Sequence, residues 1–422
     1  MKRRSLLKTL GAGLATLPVA GVLANTEPAP FIAAEADPKD EKFWNRFRKD
    51  YYDVPTGFIN LEHGFFTVQA KPVVQAYVRN IEKVNLNSSR YVRTDFAHDY
   101  AKIVQDLAAF SGVTSDELLI TRNAVEALNI IIQGLDLKRG DEVVLCRLDY
   151  PTVVEIFEML AARHGIVLRY ITLPLLPESD EQIIDRYREA VTPATRCVMV
   201  THLIHYTGQI LPVRKIVDAF RPRGIHVVVD AAHSYAHVDY KLSDLGADFI
   251  AVNLHKWLGA PLGVGLLFVR KERIKDLKPL FADHHKSADD INKLGHFGTL
   301  AIPVVLTISA AQQFTQTVTV PRKEARLRYM QNYWTSRAAT IPRVIITTPT
   351  EAARSCAIAT FRIDGVDTGL LIKTLNDRHK VFTVIRDLID DKNQVVRVSV
   401  SLTNQRSDLD ALLEGIKQLA KT

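Results

Sequence analysis

The sequence predicts an α/β fold, a mostly parallel sheet covered by helices, with a smaller α+β domain at its C-terminal end. Three observations carry this. Strand-like and helix-like segments alternate regularly over residues 118–270, the pattern of parallel strands joined by helical crossovers. Within that stretch His226-Val227-Val228-Val229-Asp230 places three consecutive valines before an acid, as a strand buried on both faces does. Beyond about residue 310 the alternation gives way to a long charged helix, two separated strands and a closing helix.

The elements follow in order. Lys2, Arg3, Arg4 and Lys8 precede an apolar, Gly/Ala-rich stretch over residues 10–24, shorter than the roughly 20 residues needed to span a bilayer. Val22-Leu23-Ala24 fits a small-residue cleavage site. The string RRSLLK resembles the twin-arginine export signal, with Lys2 where Ser or Thr is commoner. A Sec signal or an amphipathic terminal helix are the other readings. Residues 25–37 are rich in Ala, Pro and Glu and read as a mobile linker in an N-terminal arm that reaches residue 60.

The large domain is expected over residues 61–310. Its strands are expected at 118–121, 142–146, 166–172, 196–201, 225–230, 249–253 and 265–269, its helices at 124–134, 153–164 and 213–220. Gly134 stands near the end of the first helix and Pro212 opens the last. The small domain, residues 311–422, has a helix over 322–337, strands at 357–363 and 395–400, and a final helix over 408–419.

Composition narrows the function classes. The 422 residues are 47% hydrophobic and 24% charged, which excludes collagen-like and wholly disordered chains. Three cysteines exclude a disulfide scaffold. The formal charge is +7, but cleavage after Ala24 removes four basic residues and no acid, leaving +3. Nothing in that remainder calls for a nucleic acid, and no transmembrane stretch follows the signal, so no stable membrane association is expected after its removal. No G-x-G-x-x-G follows a strand, and no Walker A run, G-x-S-x-G elbow, H-E-x-x-H or C-x-x-C occurs.

Two strand ends concentrate the chemistry. Asp230 and His233 follow the valine strand, and ligands in open α/β sheets bind at such carboxyl ends. Twenty-six residues after Asp230, Lys256 follows a second apolar strand and precedes a Gly/Pro turn. A desolvated Lys has a depressed pKa and forms a Schiff base, and an Asp on the neighbouring strand can keep a pyridine nitrogen protonated. Together they are the constellation of a pyridoxal 5'-phosphate site.

The string DAAHSYAHVDYKLSDLGADFIAVNLHKWLGAPLGVGLLFVR resembles the core of class V aminotransferase-like enzymes of fold type I, nearest to the isopenicillin N epimerase-like branch. INLEHGFF, LLITRNAVEALNIIIQGL, LGHFGT and VVRVSVSLTN resemble further segments of that family in the family's order. The resemblance implies a fold type I transferase-like domain with pyridoxal phosphate as cofactor. It casts Lys256 as the Schiff-base lysine, Asp230 as partner of the ring nitrogen, and His233 as a neighbour of the phenolic oxygen or the substrate carboxylate. Tyr150 falls at the ring-stacking position, with a half-buried structural Tyr as the other reading.

The resemblance places Ala124, Val125 and Glu126 at the phosphate-binding turn. Val125 stands where the family has a hydroxyl, a loss for which Asn253 and His255 are expected to compensate. His205 replaces a smaller residue beneath the cofactor. Thr299, after Gly298, resembles a loop that reaches the phosphate of a neighbouring subunit, which implies a homodimer. Arg397 matches the Arg that binds the substrate carboxylate, and His63, in INLEHGFF, is placed with it on the substrate side.

The resulting expectation is an exported enzyme acting at Cα of an amino acid or other amino-containing small molecule, through a Schiff base and a quinonoid carbanion. Epimerisation, transamination and elimination stay open. Cysteine desulfuration is excluded because residues 381–394 hold no cysteine; Cys146, Cys197 and Cys356 read as core thiols. The histidines leave a metal-dependent exported hydrolase as one rival, although no metal ligands are assigned; a pyridoxal-binding pseudoenzyme is the other.

Overall fold

The computed structural model describes residues 36–282, 285–388 and 394–421. The export signal expected over residues 1–24, and the linker up to residue 35, lie outside the described residues.

Helix α1 (Glu41–Tyr51) is capped by Asp40 and buries Trp44 and Phe47. Strand β1 (Ile59–Asn60), α2 (Lys71–Thr94) and α3 (Phe96–Ser111) follow. The large sheet is then built by β2 (Leu118–Thr121), α4 (Ala124–Gly134), β3 (Glu142–Cys146), α5 (Pro151–His164), β4 (Val167–Ile171), α6 (Asp180–Ala190), β5 (Thr195–Thr201), α7 (Val213–Phe220), β6 (His226–Asp230), α8 (Leu242–Leu245), β7 (Phe249–Asn253) and β8 (Gly265–Val269). Its order is β2-β8-β7-β6-β5-β3-β4, and β8 pairs antiparallel with both neighbours while the other pairs are parallel. β3 leads to β4 on one side and to β5 on the other, so the strand order reverses between β3 and β5 and opens a crevice at their carboxyl ends.

Apolar clusters fill both faces of this sheet. Strands β2, β3, β6, β7 and β8 are therefore almost continuously apolar, because neither face meets water. Gly265 on β8 has a packing role. A Cβ there would lie 2.6–2.7 Å from backbone atoms of Asn123 and 2.7 Å from the Val252 carbonyl oxygen. The bare Cα lets the start of α4 settle against the sheet edge.

Helices α9 (Ile302–Val318) and α10 (Val320–Ala338) lead to a four-stranded antiparallel sheet with its own apolar cluster. It contains β9 (Val344–Ile346), β10 (Ile358–Ile363), β12 (Val384–Asp387) and β13 (Gln394–Ser399), in the order β12-β13-β10-β9. Helix α11 (Thr368–His379) and strand β11 (Val381–Phe382) lie between β10 and β12, and α12 (Arg406–Ala420) follows β13. β11 pairs in parallel with β1, which ties the N-terminal arm to this sheet. Among the described residues, no helix is long and apolar enough to cross a membrane.

Candidate active site

A cavity of about 580 Å3 opens at the carboxyl ends of the central strands, where the sheet geometry places the crevice. Asp230, the last residue of β6, and Lys256, three residues past β7, both line it. Asp230 is buried, and its Oδ1 accepts a hydrogen bond from Ala232 N at 2.8 Å. Burial raises its carboxyl pKa, while that backbone N–H and Lys256 act the other way.

Lys256 shows the opposite response. Burial lowers its amine pKa to about 8, although Asp230 partly restores the charge. Its Nζ stands 2.9 Å from Nε2 of His233. Burial holds His233 well below the ordinary imidazole range, and Lys256 and Arg397 add to this. The neutral ring therefore accepts at Nε2, and its proton belongs on Nδ1, which has no hydrogen-bond partner among the described residues. The low pKa gives a pH dependence. Covalent capture of pyridoxal phosphate is expected to slow about tenfold for each pH unit below about 8, because only the neutral amine attacks a carbonyl. Stopped-flow capture rates between pH 6 and 9 check this, and a pH-independent rate contradicts it.

His205 and Tyr150 form the next part of the wall. The ring of His205 lies 6.2 Å from that of His233, with an interplanar angle of 14°. Burial also keeps His205 neutral. Tyr150, at the N-cap of α5, is 39% exposed and meets His205 edge-on at 5.2 Å.

The start of α4 faces the same cavity through Ala124 and Val125. Asn123 caps the helix by accepting from Glu126 N at 2.8 Å, and Asn253 Oδ1 accepts from Ala124 N at 2.8 Å. Asn253 thus spends its carbonyl on the helix, and its amide nitrogen is the donor it can offer an anion. His255 gives its Nδ1 proton to the Val264 carbonyl at 3.0 Å, so the neutral ring carries no proton at Nε2.

Not every expected residue joins the cavity. Glu126 is turned back onto Arg122, accepting from its N at 2.7 Å and its Nε at 2.8 Å. Thr299 is exposed and does not line this chain's own cavity; its expected place is the site of a neighbouring subunit. His63 is buried but lines a different cavity, of about 510 Å3, where its Nε2 donates to Asn60 O at 3.1 Å. Its neighbour Gly64 lines the Lys256 cavity, whereas His63 itself does not.

Arg397, on β13, does line the Lys256 cavity, yet its guanidinium is already engaged. Its Nε donates to Glu62 Oε2 at 3.3 Å, its Nη2 donates to Glu62 Oε1, and its Nη1 donates to His205 O at 2.9 Å. Gly64 makes room for this, since a Cβ there would lie 3.0 Å from Arg397 Nη2. Glu62 and Arg386 escaped the sequence analysis. Asp149 did too: it lies directly before Tyr150 and accepts from Thr201 Oγ1 and Cys146 N, each at 2.7 Å. Burial raises its pKa to about 7.

The residues present suit pyridoxal phosphate. A buried amine of lowered pKa, a buried carboxylate on the adjacent strand and a helix N-terminus converge on one cavity.

Comparison with known proteins agrees with this. The aminotransferase class-V family model matches residues 67–412. Isopenicillin N epimerase from Amycolatopsis lactamdurans is 27% identical over 334 residues, covering 75% of this chain and 83% of that protein. A probable cysteine desulfurase from Mycolicibacterium paratuberculosis is 25% identical over 344 residues, covering 76% of this chain and 49% of that protein. The structure of a cysteine desulfurase from Thermococcus onnurineus superposes with a TM-score of 0.79 at 21% identity, covering 89% of this chain and 98% of the other.

The desulfurases overturn the exclusion made from sequence. All three cysteines are indeed buried, and burial pushes the Cys197 and Cys356 thiols up to about 12. Even so, every branch of this chemistry shares the amine-exchange and carbanion-forming steps, so the cysteine content of one segment does not decide among them. The cofactor is pyridoxal 5'-phosphate, the fold is that of the fold type I transferase-like enzymes, and the chain belongs to the aminotransferase class-V family.

Proposed function

We propose that this class V enzyme acts at Cα of a small amino-containing substrate, with epimerisation the favoured branch, and that it works as a homodimer exported by the twin-arginine route. The observation that carries the reaction is the buried Lys256 amine, its pKa about 8, in contact with the neutral His233 and facing the Asp230 carboxylate's strand end. Support for epimerisation comes from the isopenicillin N epimerase relative, which aligns over 83% of its own length. Support for export and for the dimer comes from the RRSLLK string and the Gly298-Thr299 loop.

Bound in this cavity, pyridoxal phosphate supplies a carbonyl for the substrate amine and an electron sink for charge left at Cα. The chain's residues do the rest. Asp230 is the carboxylate available to a pyridinium nitrogen, and the positive end of α4 faces the cavity where a phosphate would sit. Once displaced by the substrate amine, Lys256 Nζ takes the Cα proton as general base, and its pKa near neutrality suits both receiving and returning it. His233 Nε2, at 2.9 Å, accepts a hydrogen bond from the amine and holds it in place. Lys256 serves one face of Cα, so epimerisation needs a proton delivered to the opposite face by a second donor or by solvent.

The test is to incubate the cofactor-loaded enzyme with a panel of amino acids and short peptides in D2O. The expected result is exchange of a Cα proton, with inversion, for at least one of them by NMR and chiral chromatography. A protein that keeps bound cofactor but exchanges no Cα proton across the panel contradicts the proposal. Exchange with transamination or C–S cleavage moves the assignment to that branch.

A further inference from the structure

Two guanidinium groups share the substrate end of the cavity, and they are not equivalent. Arg397 is 2% exposed at its side chain, and two of its nitrogens are taken by Glu62. Arg386, on β12, lines the cavity with its side chain 28% exposed. Its Nη2 comes no closer than 3.6 Å to Glu62 Oε1, too far for a good hydrogen bond. Its Nη1 donates to Ile385 O at 2.8 Å, and its buried Nε has no hydrogen-bond partner among the described residues. Among the described residues the adjacent Asp387 makes no ion pair with it; Asp387 Oδ1 accepts from Gln394 Nε2 at 2.8 Å.

A buried N–H donor of a charged group left without an acceptor is costly, and such a group retains its position when a ligand completes it. Glu62 is the one carboxylate near both guanidiniums, and Asp387, also in the lining, makes no ion pair with Arg386 among the described residues, so Arg386 has no carboxylate at hydrogen-bond distance. Burial and the nearby Arg397 disfavour the charge on Arg386, as expected of an arginine awaiting its counter-ion.

We propose that Arg386 receives the substrate's carboxylate, and that Glu62 sets this specificity by occupying the side of Arg397. The ligand class is an amine bearing one free carboxylate, with that carboxylate directed to β12. This rests on the amino-substrate reading above, but its test does not depend on turnover. Propionate carries the carboxylate and no amine, so it reports on this site alone, whereas the Cα-exchange panel reports on the reaction.

Propionate binding to the cofactor-loaded enzyme is measured by calorimetry for the wild type, Arg386→Gln and Glu62→Gln. Arg386→Gln is expected to weaken propionate about tenfold or more, the loss of one charge-assisted contact. Glu62→Gln, which keeps the shape and frees Arg397, is expected to strengthen it by about as much. Unchanged affinity in Arg386→Gln overturns the proposal, as does absence of saturable binding to the wild type. Weaker binding in Glu62→Gln also overturns it, since Glu62 would then be positioning Arg397 as the receiver. Retention of the cofactor's visible absorption by each variant shows that the fold and the Lys256 side of the cavity are intact.

Discussion

Replacing Lys256 by Ala is expected to abolish covalent retention of pyridoxal phosphate and to slow Cα proton exchange by about 10^3-fold or more. Two functions fail together. The amine that anchors the cofactor is gone, and so is the base that takes the Cα proton. His233, the nearest titratable neighbour at 2.9 Å, is a poor substitute because burial keeps its conjugate acid from persisting near neutrality. Borohydride reduction followed by peptide mapping should label Lys256 in the wild type and nothing in the variant. Adding a small primary amine to the variant should restore part of the exchange, because it supplies a mobile base to a cavity that is otherwise unchanged. Persistence of the wild-type absorption and exchange in Lys256→Ala would falsify the assignment.

The second large effect is a steep loss of stability on mild acidification. Burial keeps five histidines neutral: His63 and His202 at about 4, His237 at about 3, and His205 and His233 well below their ordinary value. Their folded pKa values lie below the unfolded value near 6.5. Between those limits the unfolded chain binds protons that the native chain refuses, and stability falls as pH falls. Asp149, raised to about 7, and Asp230, also raised, have the opposite sign: in the native state each is stabilised by protonation as pH falls. Burial lowers His226 and His255 as well, so the lowered histidines outnumber these two carboxylates. A group whose protonation differs fully between the two states contributes about 1.4 kcal/mol per pH unit, so stability is expected to fall as pH drops from about 6.5 towards 4. Against typical stabilities of roughly 5–15 kcal/mol, a slope of even one such group is a measurable loss across that range. Glu142, held at about 2 mainly by Arg169 and Thr192, adds the same sign only at lower pH. Urea midpoints measured from pH 8 to pH 4.5 check the slope, and a flat profile across that range contradicts it.

The parts of the fold that could be read in the sequence were those buried on both sides. Strands β2, β3, β7 and β8 and helix α4 have the expected limits because their whole surface is apolar and a cap or turn residue marks each end. The reversed direction of β8 could not be read, since a strand buried in the sheet looks the same run either way. Helix α2 was missed for a different reason. It is largely polar and carries Ser88 at φ 50, so no single apolar stripe runs its length. At the site, Lys256, Asp230 and His233 were legible because each follows a recognisable strand. Arg386 was not, because β12 is only four residues long and half-exposed. Glu62 was invisible because its partner lies far away in the chain, and local pattern carries no information about such a pair.

That long separation has a consequence for how the protein is made. Glu62 and Arg397 are 335 positions apart, and β1 is held by β11 from the small domain. Asp230 and Lys256 leave the ribosome well before the wall formed by Arg386 and Arg397, since 386 − 256 = 130 residues separate Lys256 from Arg386. A ribosome-bound chain has a partly open pocket until its final sheet emerges and recruits the N-terminal arm. Cofactor that enters earlier meets a site lacking that wall, so its stable retention marks arrival of the C-terminal sheet, not only of the strands that carry Asp230 and lead to Lys256.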